Sequence, residues 1–264
     1  MSSAAAARTG ARLPSARELA SLDVVAHLTD PARKQAFVTP MFEHIAPRYD
    51  AFTRLFSFGM DARWKGELLR WLATDGPVTG LVVDVACGTG DLALAAAAAH
   101  PGATVLGVDA AEGMIARARG RLEPGDDGRV SFATGDLTRL ALADGTAAVV
   151  LGGYALRNVP RLEPALAELH RVLRPGGRLL TLDFYRPSLV PWRAVFLAYL
   201  HLAGSAVGWW WHRSPVIYSY IAHSIRHYVT ADAYASALAR AGFTVERRRH
   251  YLFGGIALHL ARRR

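Results

Sequence analysis

The chain has 264 residues, long enough for one well-buried core and too short for two large ones. Hydrophobic residues make up 52% and charged residues 20%, a globular composition that excludes a disordered chain. A single cysteine, Cys87, excludes an internal disulfide and a multi-cysteine metal site, which suits a reducing cytosol, while the net charge of +9 favours anionic partners.

Residues 1–30 are rich in Ala, Ser and Arg and lack the continuous apolar core of a secretory signal, so they read as a flexible arm. Glu18 and Asp23 come early enough to argue against an organellar transit segment. The remainder, 31–264, reads as a single domain. Within it, 31–75 forms a helical cover with apolar positions from Phe37 to Leu72, and Pro40 and Pro47 should break it into short pieces. Strands then alternate with helices: strand 81–86, helix 91–99, strand 104–108, helix 111–119, strands 130–134 and 147–152, helix 163–173 and strand 178–183. Nearly all the strands are continuous apolar runs, the pattern of a parallel sheet covered on both faces. Residues 188–228 interrupt the alternation as an inserted helical lid; helix 231–241 and strands 243–248 and 256–261 complete the chain.

Two stretches carry alternative readings. Ala194 to Trp211 has no formal charge and reaches the lower length limit for a membrane span. It also contains His201, Gly204, Ser205 and Gly208, so a buried or interfacial lid is favoured. Arg247, Arg248, Arg249, Arg262, Arg263 and Arg264 cluster near the C-terminus, either to meet nucleic acid or anionic lipid or as a solvated basic edge.

The strongest signal is Val82-Val83-Asp84-Val85-Ala86-Cys87-Gly88-Thr89-Gly90-Asp91, a buried strand running into a glycine-rich turn and a helix. Gly88 and Gly90 permit positive φ and bring backbone N–H groups against a ligand at the carboxyl end of the sheet. Nineteen residues past Gly90, a strand ends in Asp109, placed to accept hydrogen bonds from both ribose hydroxyls. Asp136 follows the next strand, suited to an adenine amino group. A dinucleotide is formally allowed by Ala93 at the third fingerprint position, but Asp84 and Asp91 on either side of the turn would repel its pyrophosphate. They would instead favour the cationic amino-acid end of S-adenosylmethionine. Capping of helices and turns by these aspartates is the structural alternative.

Here the sequence resembles the ubiquinone/menaquinone biosynthesis C-methyltransferases over about residues 41–262. The resemblance rests on Ala46-Pro47-Arg48-Tyr49-Asp50, the glycine loop, Gly113-Met114, Leu156-Arg157-Asn158-Val159, Arg174-Pro175-Gly176-Gly177, Ser224-Ile225 and Gly254-Gly255-Ile256-Ala257-Leu258-His259. It implies an α/β fold: a Rossmann-like class I methyltransferase core with a mostly parallel seven-stranded sheet. It further implies S-adenosylmethionine held by Asp84, Gly88, Gly90, Asp109 and Asp136, with Ala110, Met114 and Leu137 beside them. The acceptor would be a small apolar aromatic molecule, a prenylated hydroquinone methylated on a ring carbon and faced by Tyr49, Arg157 and Asn158.

In this reading Arg157 stabilises a phenolate, while Asn158 and Tyr49 orient the ring oxygens or an ordered water that takes the proton. His223 and His227 are alternative bases on chemistry alone. The resemblance also implies a cytoplasmic enzyme, in peripheral contact with the inner membrane face, with a homodimer left open.

The cofactor half is close to the family and the acceptor half diverges, with Ala147-Ala148, His212-Arg213-Ser214-Pro215, His223, Val229 and Trp209-Trp210-Trp211 at unusual positions. That leaves room for another small apolar or phenolic acceptor, or for a quinone- or lipid-binding homologue without turnover, although the intact acidic set argues against the latter. A nucleic-acid substrate is disfavoured. Gly152-Gly153-Tyr154-Ala155-Leu156 stands where base-amino methylation usually places a Pro-Pro-aromatic turn, and Cys87 sits in the cofactor loop rather than at a nucleophile's position.

Overall fold

The computed structural model describes residue 18, residues 23–126 and residues 128–264; the rest of the expected arm, 1–17 and 19–22, lies outside the described residues. The end of that arm is helical. Asp23 caps α1 (Val24–Thr29) by accepting from the Ala26 N–H, and Leu28 is buried. The cover continues with α2 (Pro31–Ile45), α3 (Tyr49–Phe56) and α4 (Met60–Leu72). Helix α2 runs straight through Pro40, contrary to the break its proline predicts. Phe37, Val38, Met41 and Ile45 are all buried on both sides of Pro40, so packing along that stripe outweighs the lost hydrogen bond. Pro47 does mark a change, sitting in a 3-10 turn between α2 and α3.

Seven strands form one sheet in the order β3-β2-β1-β4-β5-β7-β6. They are β1 (Gly80–Val85), β2 (Ala103–Asp109), β3 (Val130–Thr134), β4 (Ala147–Gly153), β5 (Leu173–Phe184), β6 (Phe243–Tyr251) and β7 (Ile256–Arg263). The first five pair in parallel, and β7 joins β5 and β6 antiparallel. Alternate residues of β1 face opposite sides: Val82 packs with α4, α5 (Asp91–Ala99) and α6 (Glu112–Arg119), and Val83 and Val85 pack with α7 (Leu162–Val172) and α10 (Ala231–Arg240). The chain winds outward from β1 to β3 and returns to β4 beside β1. The carboxyl ends of β1 and β4 therefore flank the crevice where ligands of open α/β sheets bind.

A third apolar cluster joins the cover to α8 (Val190–His212) and α9 (Val216–Arg226), through Phe37, Met41, Phe52, Leu200, Tyr218 and Ile225 among others. The two lid helices touch closely at Gly204, where a Cβ would lie 2.8 Å from the Tyr218 carbonyl oxygen. Among the described residues, no helix is long and apolar enough to cross a membrane. The basic C-terminal edge is structural. Arg248 pairs with Asp232 (2.6 Å), Arg249 with Glu67 (2.8 Å) and Arg262 with Glu246 (2.5 Å) and Asp75 (3.0 Å). Arg263 and Arg264 donate to carbonyls, and Arg247 lies over Trp71.

Candidate active site

The glycine loop turns through left-handed backbone at Ala86 (φ 49°), Gly88 (φ 56°) and Gly90 (φ 87°). Gly90 does not face the cleft. A Cβ there would lie 2.8 Å from Phe132 Cζ, so the residue allows the turn to close against β3. Asp109 ends β2 and supports the loop, one oxygen accepting from the Gly88 N–H (2.9 Å) and the other from the Ala111 N–H (2.8 Å). An ionised carboxylate has about four acceptor positions, so each oxygen keeps capacity for a ribose hydroxyl. Gly88, Asp109, Ala110, Met114, Asp136 and Leu137 all border one cleft of about 670 Å³, roofed by Gln35, Val38, Thr39 and Phe42 of α2. Asp136 is exposed, with one oxygen already accepting from the Thr138 N–H and hydroxyl (2.8 and 2.7 Å).

Asp84 lies deeper and borders a smaller adjoining cavity with Gly88, Thr89 and Lys65. It is 1% exposed, its Oδ2 accepts from the Ala93 N–H (3.0 Å), and its Oδ1 is buried with no hydrogen-bond partner. Burial pushes its pKa up to about 8, against the opposing effect of the Ala93 N–H and Lys65. A buried carboxylate oxygen without a donor is what a bound ammonium group would satisfy, so this residue set fits S-adenosylmethionine. Asp91, expected to share that role, borders the same small cavity. It pairs with Arg121 (2.6 Å) and Lys65 (3.0 Å), which together hold it below the ordinary carboxylate range despite burial.

A second cavity of about 510 Å³ opens beside the first and is walled by aromatics. Phe52 stacks on Tyr218 at 3.8 Å and on Phe56 at 4.8 Å, and Phe42 meets Tyr49 and Tyr220 edge-on at 6.0 and 6.2 Å. The polar groups in this wall include Arg157, Asn158, Tyr49 and Tyr154, and no carboxylate or imidazole lines it among the described residues. Arg157 and Asn158 sit on a 3-10 turn after β4. Arg157 is 3% exposed, 3.5 Å from the carboxylate of Asp183 at the end of β5, and donates to the Ser224 hydroxyl of α9 (2.5 Å). Its guanidinium lies 5.6 and 5.8 Å from the rings of Phe184 and Tyr220. Burial holds the Tyr49 hydroxyl well above the ordinary phenol range, with Tyr220 and Asp61 adding to it, so it stays a protonated phenol able to hydrogen-bond.

The two tyrosines, Tyr49 and Tyr154, border the cofactor cleft, the Asp84 cavity and the aromatic cavity alike. Tyr154 has a left-handed backbone (φ 59°) and its hydroxyl donates to Asp61 (2.8 Å), which pairs with Lys65 (2.7 Å). Sequence reasoning missed Tyr154, Asp61, Lys65 and Asp183. It also missed Lys34, whose ammonium donates to the Arg157 carbonyl (2.8 Å) and is lowered to about 8 by burial and by Arg157. The one readable hint was Tyr154, next to the Leu-Arg-Asn-Val motif. His223 and His227 border neither cavity, and His227 is exposed, so their candidacy as bases is withdrawn.

The cover is stitched to α6, to the glycine loop and to the lid by single polar contacts. The Glu43 carboxylate accepts from the Gly113 N–H (2.7 Å), Thr89 donates to Asp50 (2.7 Å), and Arg48 donates to the Trp211 carbonyl (2.7 Å). An electrophilic methyl group held in the first cleft would thus face an apolar ring held in the second, across Tyr49 and Tyr154.

The chain is similar to known methyltransferases. The model of the ubiE/COQ5 methyltransferase family matches residues 30–263. A ubiquinone/menaquinone biosynthesis C-methyltransferase UbiE of Syntrophotalea carbinolica is 36% identical over 221 residues, covering 82% of this chain and 90% of that one. A demethylmenaquinone methyltransferase of Thermus thermophilus is 36% identical over 223 residues, covering 84% and 100%. Among solved structures, a putative methyltransferase bound to the Haloferax volcanii Trm112 activator superposes with a TM-score of 0.59 at 18% identity, covering 84% of this chain and 96% of that one. A geranyl diphosphate C-methyltransferase from Streptomyces coelicolor gives 0.58 at 16%, covering 77% and 78%. At these identities the structures speak for the fold alone.

Proposed function

Because this chain belongs to the ubiE/COQ5 methyltransferase family, we propose that it moves a methyl group from S-adenosylmethionine to a ring carbon of a prenylated hydroquinone of the demethylmenaquinol or ubiquinol-precursor type. The observation that carries the acceptor half is the aromatic cavity with one buried guanidinium, Arg157, in its wall.

The cofactor supplies a methyl sulfonium that is already electrophilic, so the protein's work is in-line positioning and activation of the acceptor. Asp84 would hold the ammonium, Asp109 the ribose hydroxyls and Asp136 the adenine edge, with Ala110, Met114 and Leu137 beside the base. The aromatic wall holds the hydroquinone ring and excludes water, which strengthens the field of Arg157 on a phenolic oxygen. Loss of the phenolic proton to an ordered water held by Asn158 and Tyr49 puts electron density on the neighbouring ring carbon, which forms the new C–C bond as the bond from the methyl to the sulfonium sulfur breaks; the carbon's own proton then passes to water and the aromatic ring is restored. Asn158 and the Tyr49 hydroxyl orient the ring oxygens.

The prenyl tail leaves toward the lid. Phe56 lines the cavity and stacks on Tyr199 (6.1 Å), which stacks in turn on Phe58, 74% exposed. Along the outer face of α8, Val195, Leu202, Trp209 and Trp210 are 58–68% exposed, and no acidic residue occurs between Asp183 and Asp232. We assign this uncharged stripe, flanked by Arg48 and Arg213 against Trp211 and Trp209, to the surface of an anionic membrane on its cytoplasmic side. Methyl transfer to demethylmenaquinol presented in vesicles, compared with a tailless phenolic acceptor, tests the assignment. A preference for the tailless acceptor removes the quinone reading.

A further inference from the structure

The lid carries a second concavity that the methyl-transfer reading does not use. A groove of about 1130 Å³ runs between the first half of α8, the end of α9 and the segment after β5. It shares no lining residue with the cofactor cleft, the Asp84 cavity or the aromatic cavity. Its floor is apolar, made by Val190, Ala194, Leu197, Ala198 and Ala222. Its ionisable groups are Arg186, Arg193, Arg226, His201 and His223, and no carboxylate lines it.

The groove thus gathers basic side chains with no acidic one to offset them. Arg121, Arg171, Arg178 and Arg262 all reach carboxylates within 3.3 Å. Among the described residues, Arg186, Arg193 and Arg226 form no such pair, and Arg186 Nε is buried with no hydrogen-bond partner. The imidazoles of His201 and His223 meet edge-on at 5.4 Å. Burial holds His223 below the ordinary imidazole range, and His201, Arg226 and His227 reinforce this. Like charges converging in a concave, partly desolvated site repel one another unless an anion enters. Guanidinium groups with free N–H edges favour the multi-oxygen anions that accept paired hydrogen bonds, phosphate above all. The apolar floor adds a preference for an anion attached to a hydrocarbon chain.

We propose that this groove binds a phosphate-bearing amphiphile, its phosphate held by Arg186, Arg193 and Arg226 with His201 and His223, and its chain laid on the α8–α9 floor. The same chemistry occurs in an anionic phospholipid within a bilayer and in a freely dissolved phosphorylated amphiphile. The inference is independent of the acceptor reading, because the groove lies apart from both methyl-transfer cavities.

Calorimetric titration of the full chain with octyl phosphate, inorganic phosphate and octyl glucoside tests it, with S-adenosylmethionine binding measured on the same samples as a check on folding. Octyl phosphate should bind at least tenfold more tightly than either of the others. The R193Q/R226Q variant should lose at least tenfold for octyl phosphate while keeping its S-adenosylmethionine affinity; both side chains reach the surface and neither borders the methyl-transfer cavities. R193K/R226K should recover part of the loss. Equal binding of octyl phosphate and octyl glucoside, or an unchanged R193Q/R226Q variant, overturns the proposal. Vesicle flotation then separates the two sources. If R193Q/R226Q weakens binding to phosphatidylglycerol vesicles but not to phosphatidylcholine vesicles, the ligand is a bilayer lipid; if it weakens octyl phosphate alone, the ligand is a dissolved amphiphile.

Discussion

Around the cofactor cleft, most polar positions come from short stretches at consecutive strand ends. Asp84, Gly88, Asp109 and Asp136 all follow or end neighbouring parallel strands β1, β2 and β3. Around the acceptor cavity, the wall is assembled from α2, α3, the turn after β4, the end of β5 and α9, which are far apart in the chain. The first half is set by backbone turns and is local. The second is set by side-chain packing between remote segments, and its one strong charge, Arg157, is held by Asp183 at the end of β5. The cofactor half should therefore respond to substitution mainly in affinity, and the acceptor half in stability and turnover together.

The sharpest way to break that contrast is Arg157→Ala. It leaves Asp183 buried without its partner, an effect of about 3–5 kcal/mol on stability, and it removes the field on the phenolic oxygen, about a hundredfold or more in turnover. Denaturant midpoints and single-turnover rates measure the two parts; a stable variant with full activity would remove Arg157 from the mechanism. Asp109→Ala comes next. It should weaken S-adenosylmethionine binding by roughly a hundredfold through lost charged hydrogen bonds, read by calorimetry, with a smaller change in the rate at saturating cofactor.

Tyr154→Phe tests the junction between the two halves. It removes the hydroxyl that donates to Asp61 but leaves Asp61 paired with Lys65, so the expected loss is about 1 kcal/mol, near fivefold. Comparing KM for the acceptor with Kd for the cofactor shows which half Tyr154 serves. The smallest effect on chemistry belongs to W209S/W210S. Both side chains are more than half exposed, so turnover of a tailless acceptor should stay within a factor of two of wild type, about the scatter of a surface change. Flotation with anionic vesicles should fall markedly, and unchanged flotation would detach the outer face of α8 from the membrane.

The same contrast explains how much could be read from the chain. Apolar runs such as residues 105–108 and 149–151 identified the parallel strands because both faces of the sheet are covered. The acidic ends of β1 and β2 were legible because one short motif carries the turn, the glycines and the carboxylate. Boundaries shifted where local rules met tertiary packing. β5 begins at Leu173, where the expected helix 163–173 should still run and ahead of the strand expected at 178–183, because Leu173 already pairs with Ala147. The helix through Pro40 is a similar case. The ion pairs of Asp91 were not legible, since its partners, Lys65 and Arg121, come from α4 and from the segment after α6. Lys34, Asp61 and Asp183 carried no local signal at all, because their relation to Arg157 and Tyr154 exists only in the folded chain. The C-terminal arginines were likewise legible as a cluster but not as a set of structural pairs.

The buried Asp84 gives the account its most direct test. Its pKa in the folded, cofactor-free chain is raised to about 8, above the unfolded value near 3.9. The folded state therefore holds an extra proton between these values. Stability is greatest below the lower value and is lost as pH rises through the upper one. A cationic ammonium requires the ionised carboxylate, so S-adenosylmethionine affinity should rise from pH 6 to pH 8. Calorimetry at pH 7 in buffers of different ionisation enthalpy should show release of about one proton on binding, and Asp84→Asn should abolish that release. No binding with Asp84 and Asp109 intact, or unchanged affinity in Asp84→Asn, would contradict the assignment of this carboxylate to the cofactor.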